Sequence, residues 1–122
     1  MAAHHTDVAE FRLLLAKSQA DLGVANLLAA DADQSDEVVG FHVQQAVEKA
    51  LKAALAAGGR VVPRTHDIAH LLELLEDMGV PEALEGAETL TRWAVRGRYE
   101  PVADHLDRTS ALATAARAVA WA

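Results

Sequence analysis

The chain has 122 residues, 52% of them apolar but only 4% aromatic, and a formal charge of -7 with 18 acids against 11 bases. That length suits one domain spanning residues 1–122, built on one modest core. An acidic balance excludes a general nucleic-acid coat, which draws its affinity from a basic surface. The absence of cysteine excludes disulfides, thiolate catalysis and cysteine-ligated metals.

Alanine and leucine supply most of the apolar surface, and both favour helix. Alanine buries little area per residue, so a homodimer is a natural way to cover more surface. No apolar run approaches the roughly 20 residues of a membrane span. The start, Met1 to Asp7, lacks the basic opening and apolar stretch of a secretory signal, so the cytoplasm is the expected compartment. His4 and His5 read as a frayed end.

The first helix is expected from about Thr6 to Ala30, capped by Thr6 or Asp7. Phe11, Leu14, Leu15, Ser18, Leu22, Ala25 and Ala29 recur on one side of it. An acidic connection, Asp31 to Asp36, leads to a second helix capped by Ser35 and ended by Gly58-Gly59. On that helix Val39, Val43, Ala46, Val47, Ala50 and Ala54 form an apolar face, with His42, Gln45, Lys49 and Lys52 opposite. A third helix is expected from Thr65 or His66 to Met78-Gly79, carrying Ile68, Leu71, Leu72, Leu74 and Leu75. A fourth begins at Pro81, runs through Ala83, Leu84, Ala87, Leu90, Ala94 and Val95, and stops at Gly97. A fifth runs from Pro101 to about Trp121. The fold class is therefore all-α, an antiparallel bundle of four or five helices.

Three segments carry candidate chemistry. His42, Gln45, Lys49 and Lys52 form a polar ridge that could meet phosphates and base edges, or simply face solvent with the Glu48–Lys52 pair. In Pro63-Arg64-Thr65-His66-Asp67-Ile68-Ala69-His70, Arg64 and His66 adjoin a helix start where an anion could bind. His66 and His70 stand one turn apart, but no third ligand accompanies them, and capping by His66 or Asp67 is the favoured reading. The third segment, from Arg92 to Pro101, holds Arg92, Arg96 and Arg98 with Trp93 and Tyr99. Arginine offers a donor fork suited to phosphate, and an aromatic ring can stack on a base. Arg98 and His105 are also separated by six residues. An imidazole can move a proton at neutral pH and a guanidinium can stabilise a charged phosphorane-like transition state. Neither a metal nor another resident cofactor is expected.

Taken together, Phe41-His42-x-Gln44-Gln45-Ala46-x-Glu48-Lys49-Ala50-x-Lys52, Pro63-Arg64-Thr65-His66-Asp67, Leu71-Leu72-x-Leu74-Leu75, Leu90-Thr91-Arg92 and Arg98-Tyr99 resemble the HEPN family. The match runs from about Asp21 to Pro101. The resemblance implies an antiparallel helical bundle, commonly a homodimer, associated with nucleotide binding. It also implies a small nucleotidyltransferase as partner in a toxin–antitoxin-like pair. Some members are metal-independent ribonucleases using an arginine, four to six variable residues and a histidine, a spacing that Arg98 and His105 satisfy. Tyr99 and Pro101 within that span make the chain similar to the Arg-Tyr-containing branch. The resemblance thus implies a nucleotide- or partner-binding module through His42, Gln45, Lys49, Lys52, Arg64, His66, Arg92, Arg96, Arg98 and Tyr99. The alternative is RNA cleavage by Arg98 and His105.

Overall fold

The computed structural model describes residues 7–94 and 106–122. Among these are four α-helices, α1 (Val8–Ala29), α2 (Asp36–Ala57), α3 (Ile68–Leu74) and α4 (Arg108–Trp121), with three 3-10 segments and no strand. Each α-helix opens on a short polar side chain that accepts from the first turn. Asp7 accepts from Glu10 N, Ser35 from Val38 N, Asp67 from Ala69 N and Asp107 from Ser110 N. α2 closes at Gly58, followed by Gly59 in the left-handed region at φ 72°, as the paired glycines predict.

α1 and α2 form an antiparallel hairpin. Ser18 Oγ donates to Ala46 O at 2.8 Å, while Asp21 meets Lys49. Ser18 and Ala25 are the buried positions of α1, small enough for α2 to approach closely. α2 is the centre of the bundle, touching α1, α3, α4 and the longest 3-10 segment. Its burial therefore extends well beyond the expected stripe, to Gly40, Gln44, Glu48, Leu51, Ala53, Leu55 and Ala56. The alanines keep this crowded helix thin, while Leu51, Leu55, Ile68, Leu71, Leu75 and Leu84 fill the spaces around it.

The third helix is shorter than expected. Asp67 stands before it as the cap, and after Leu75 the chain tightens into a 3-10 turn, Glu76–Met78. Arg60 holds that end: its guanidinium donates to Leu74 O at 2.6 Å and makes a bidentate pair with Asp77, both bonds 2.8 Å. The hydrogen bond from Arg60 holds the Asp77 carboxyl below the ordinary carboxylate range.

The expected fourth helix is instead two 3-10 segments, Glu82–Leu84 and Ala87–Trp93, separated by Gly86 at φ 86°. The reason is the spacing of the buried residues Leu84, Ala87, Leu90 and Trp93. They recur every three residues, and a 3-10 helix, with three residues per turn, stacks them on one line. The Trp93 ring lies over Gly40, where a Cβ would sit 2.5 Å from Trp93 Cδ2. The last described helix is Arg108–Trp121; the expected start of the fifth helix at Pro101 and the expected stop of the fourth at Gly97 both lie outside the described residues.

Arg108 fastens α4 to the turn between α1 and α2. Its Nε donates to Asp36 Oδ1 at 2.9 Å, and its terminal nitrogens donate to the carbonyls of Ala29, Asp31 and Gln34. Leu106 N donates to Asp36 Oδ2 at 3.2 Å, so Asp36 holds two points of the chain preceding and opening α4.

Candidate functional site

The polar residues of α2 are not an open ridge. His42 and Lys49, about two helical turns apart on one face, converge on one carboxylate of α1. His42 Nδ1 is 3.2 Å from Asp21 Oδ1, and Lys49 Nζ donates to Asp21 Oδ2 at 2.7 Å. Lys52 donates to Glu48 Oε2 at 2.9 Å, the expected pair one turn apart. Gln45 donates to Gln44 Oε1 at 2.7 Å. All four are half-buried rather than exposed. Phe41 is half-buried beside this row, its ring edge-on to His42 at 5.3 Å.

Glu48 is the hub of the second cluster, with its side chain only 4% exposed. Besides Lys52, it receives Gln44 Nε2 at 3.0 Å and His66 Nδ1 at 2.8 Å. Burial pushes its carboxyl up, but the hydrogen bonds from Gln44, Lys52 and His66 more than offset this and hold it below the ordinary glutamate value. Gln44 also donates to His66 O at 3.3 Å, pinning the loop before α3 to α2. Thr91 Oγ1 accepts from Ile68 N at 3.1 Å and ties the long 3-10 segment to the same place. His66 is thus anchored by a buried carboxylate while 67% of its side chain is exposed. The metal-pair geometry considered for His66 and His70 is not formed: His66 precedes the helix, and His70 lies 3.9 Å from Glu73. No group of three or more potential metal-ligating side chains occurs among the described residues.

Two surface hollows among the described residues border these elements. One, of about 310 Å³, lies between the long 3-10 segment and the start of α4, lined by Thr89, Arg92, Trp93, Leu106, Asp107 and Ser110 among others. Its walls include Trp93 and Leu106, which flank in sequence the span that carries Arg96, Arg98, Tyr99 and His105. Those four residues lie outside the described residues. Arg92 is exposed at this cleft and Arg64 is exposed before α3. The other hollow, about 450 Å³, has Leu72, Val80, Pro81 and Leu84 in its lining with Glu73, Glu76, Glu82, Glu85 and Glu88. Five carboxylates make it hostile to a phosphate. The first cleft sets Arg92 and the hydroxyls of Thr89, Ser110 and Thr114 against only two carboxylates, Glu85 and Asp107, and is the less hostile of the two to a nucleotide or RNA backbone.

Sequence reasoning missed Asp21, the shared acceptor, and Arg108, the clamp. It paired Glu48 with Lys52 but missed Gln44 and His66 as further donors. A signal was available for Asp21, an acid on the inward side of the first helix, and none marked out Arg108.

A HEPN domain model matches residues 11–122, and the chain belongs to the HEPN domain family. No curated protein and no solved structure gives a match.

Proposed function

We propose that this HEPN domain cleaves RNA without a metal, with His105 moving the proton and Arg98 stabilising charge on the scissile phosphate. The observation that carries this over a binding role for α2 is the internal neutralisation of the polar ridge. Asp21 takes up His42 and Lys49, and Glu48 takes up Lys52 and His66, so little free positive charge remains there. The cleft beside Arg92, bordered by Trp93 and Leu106, offers room for a backbone phosphate. In this chemistry the RNA 2′-oxygen forms a bond to the adjacent phosphorus as the bond to the 5′-oxygen breaks. His105 accepts the 2′-hydroxyl proton, solvent protonates the departing oxygen, and the products are a 2′,3′-cyclic phosphate and a 5′-hydroxyl end.

A second reading keeps the cleft and drops the turnover. Exposed Arg92 at the cleft favours it. Arg64, Arg92, Arg96, Arg98 and Tyr99 then dock a nucleotide or a small nucleotidyltransferase in a toxin–antitoxin-like pair. In either reading the protein is a cytoplasmic homodimer. No described helix is long and apolar enough to cross a membrane.

The test is incubation of the purified chain with RNA in excess EDTA. Cyclic-phosphate ends are expected from the wild type and are lost in both R98A and H105A. Cleavage that survives in H105A sinks the catalytic assignment. No cleavage, with nucleotide binding lost in R92A, favours the second reading.

A further inference from the structure

α1 is apolar on two sides. Its inner side packs on α2, yet on the side facing away from the bundle Leu13 is 56% exposed, Leu27 76% and Val24 38%. Ala9, Ala16, Ala20 and Gly23 are exposed with them, and a Cβ on Gly23 would meet nothing within 4 Å. The order Ala9, Leu13, Ala16, Ala20, Gly23, Leu27 advances by four and three residues alternately, the a/d spacing of a coiled-coil seam. Polar side chains flank it, with Arg12, Gln19 and Asn26 along one edge and Glu10 and Lys17 along the other. A surface helix needs one apolar stripe to join its own core; a second one asks for a partner.

We infer that this outer face of α1 pairs with the same face of a second copy of the chain, antiparallel and about a two-fold axis near Ser18. The sequence is self-complementary in that register. Antiparallel seams place a positions opposite d positions, which sets Leu27 against the other copy's Ala9, Leu13 against its Gly23, and Ala16 against its Ala20. Each leucine meets a small residue twice over, as an isologous contact requires. A parallel pairing instead stacks Leu13 on Leu13 and leaves the small layers unfilled. The helix is 22 residues long, giving a strip of roughly 33 Å by 10 Å on each copy. Counting both copies, this strip amounts to roughly 660 Å², below the standard interface size and fit for a weak, reversible dimer rather than an obligate one. Gln19 then faces its own counterpart at one edge, where two amides can bond. Lys17 faces its counterpart at the other, a like-charge pair that holds the association weak.

This pairing rests on the dimer proposed above but not on the chemistry. The chain has no cysteine, so A9C and L27C can be made singly, given different tags and mixed under mild oxidation. A disulfide between A9C and L27C is expected, with little in either variant alone, because like positions would lie about 27 Å apart along the seam. Sedimentation at high concentration should show twice the 13.0 kDa of one chain. L13D/L27D, both on exposed positions, should keep the helical circular dichroism and lower the association at least tenfold. A monomer at all concentrations overturns the inference, as does A9C crosslinking to itself. A dimer untouched by L13D/L27D overturns this face while leaving the dimer itself standing, and RNA cleavage by a monomer leaves the cleavage reading standing.

Discussion

Replacing Glu48 by Gln removes one charge from a side chain that is 4% exposed and keeps its shape. The change strands the Lys52 ammonium, itself 13% exposed, beside a neutral amide. Breaking a buried ion pair costs about 3–5 kcal/mol, and the partial access of Lys52 to water puts this case near the low end, about 3 kcal/mol. For a domain of this size that lowers the melting temperature by roughly 10–15 °C, read by circular dichroism at pH 7. The effect must also depend on pH in a definite direction. The folded-state carboxyl titrates below its unfolded value, so its contribution is complete above about pH 4.3. It is lost as the pH falls through the folded value. The gap between wild type and E48Q should therefore close in acid. Adding K52M to E48Q removes the stranded charge and should recover part of the loss. Equal melting at pH 7, or a gap that persists unchanged at pH 3, refutes the reasoning.

Gly40→Ala drives a methyl into the Trp93 ring at 2.5–2.8 Å. Overpacking of about 1–3 kcal/mol, less the roughly 1 kcal/mol an alanine gains in helix, leaves a net loss near 1 kcal/mol and a change in tryptophan emission. Unaltered emission would show that the ring is not seated there. Asp21→Asn releases His42 and Lys49 and should cost about 1 kcal/mol. It should also raise salt-sensitive binding of poly(U) in fluorescence anisotropy; weaker or equal binding counts against neutralisation as the reason α2 is quiet. Arg108→Ala removes one ion pair and three carbonyl contacts, for a loss of about 2–3 kcal/mol in urea titration. Arg108→Lys should restore less than half, since one ammonium cannot span the same acceptors.

What could be read from sequence was local. Ser35, Asp7 and the Gly58-Gly59 pair act within one turn of where they stand, and they place the ends of α1 and α2 correctly. The segment after Pro81 was misread because its apolar residues were fitted to a 3.6-residue period. Leu84, Ala87, Leu90 and Trp93 in fact repeat every three. The candidate site was harder still. Lys49 looks like a free cation along the chain, and its carboxylate is 28 residues away on another helix. His66 looks like a capping or ligand histidine, and its partner Glu48 is 18 residues back. Side-chain type shows what a residue can bind, but here packing decides what it has already bound.

Arg108 also has a consequence for the order in which the molecule is made. Its acceptors, Ala29, Asp31, Gln34 and Asp36, are synthesised more than 70 residues before it. During translation the α1–α2 hairpin therefore emerges with its turn unfastened and the side of α2 that will meet α4 uncovered. The turn of the hairpin stays unfastened until Arg108 has been made, so the clamp closes only late in synthesis.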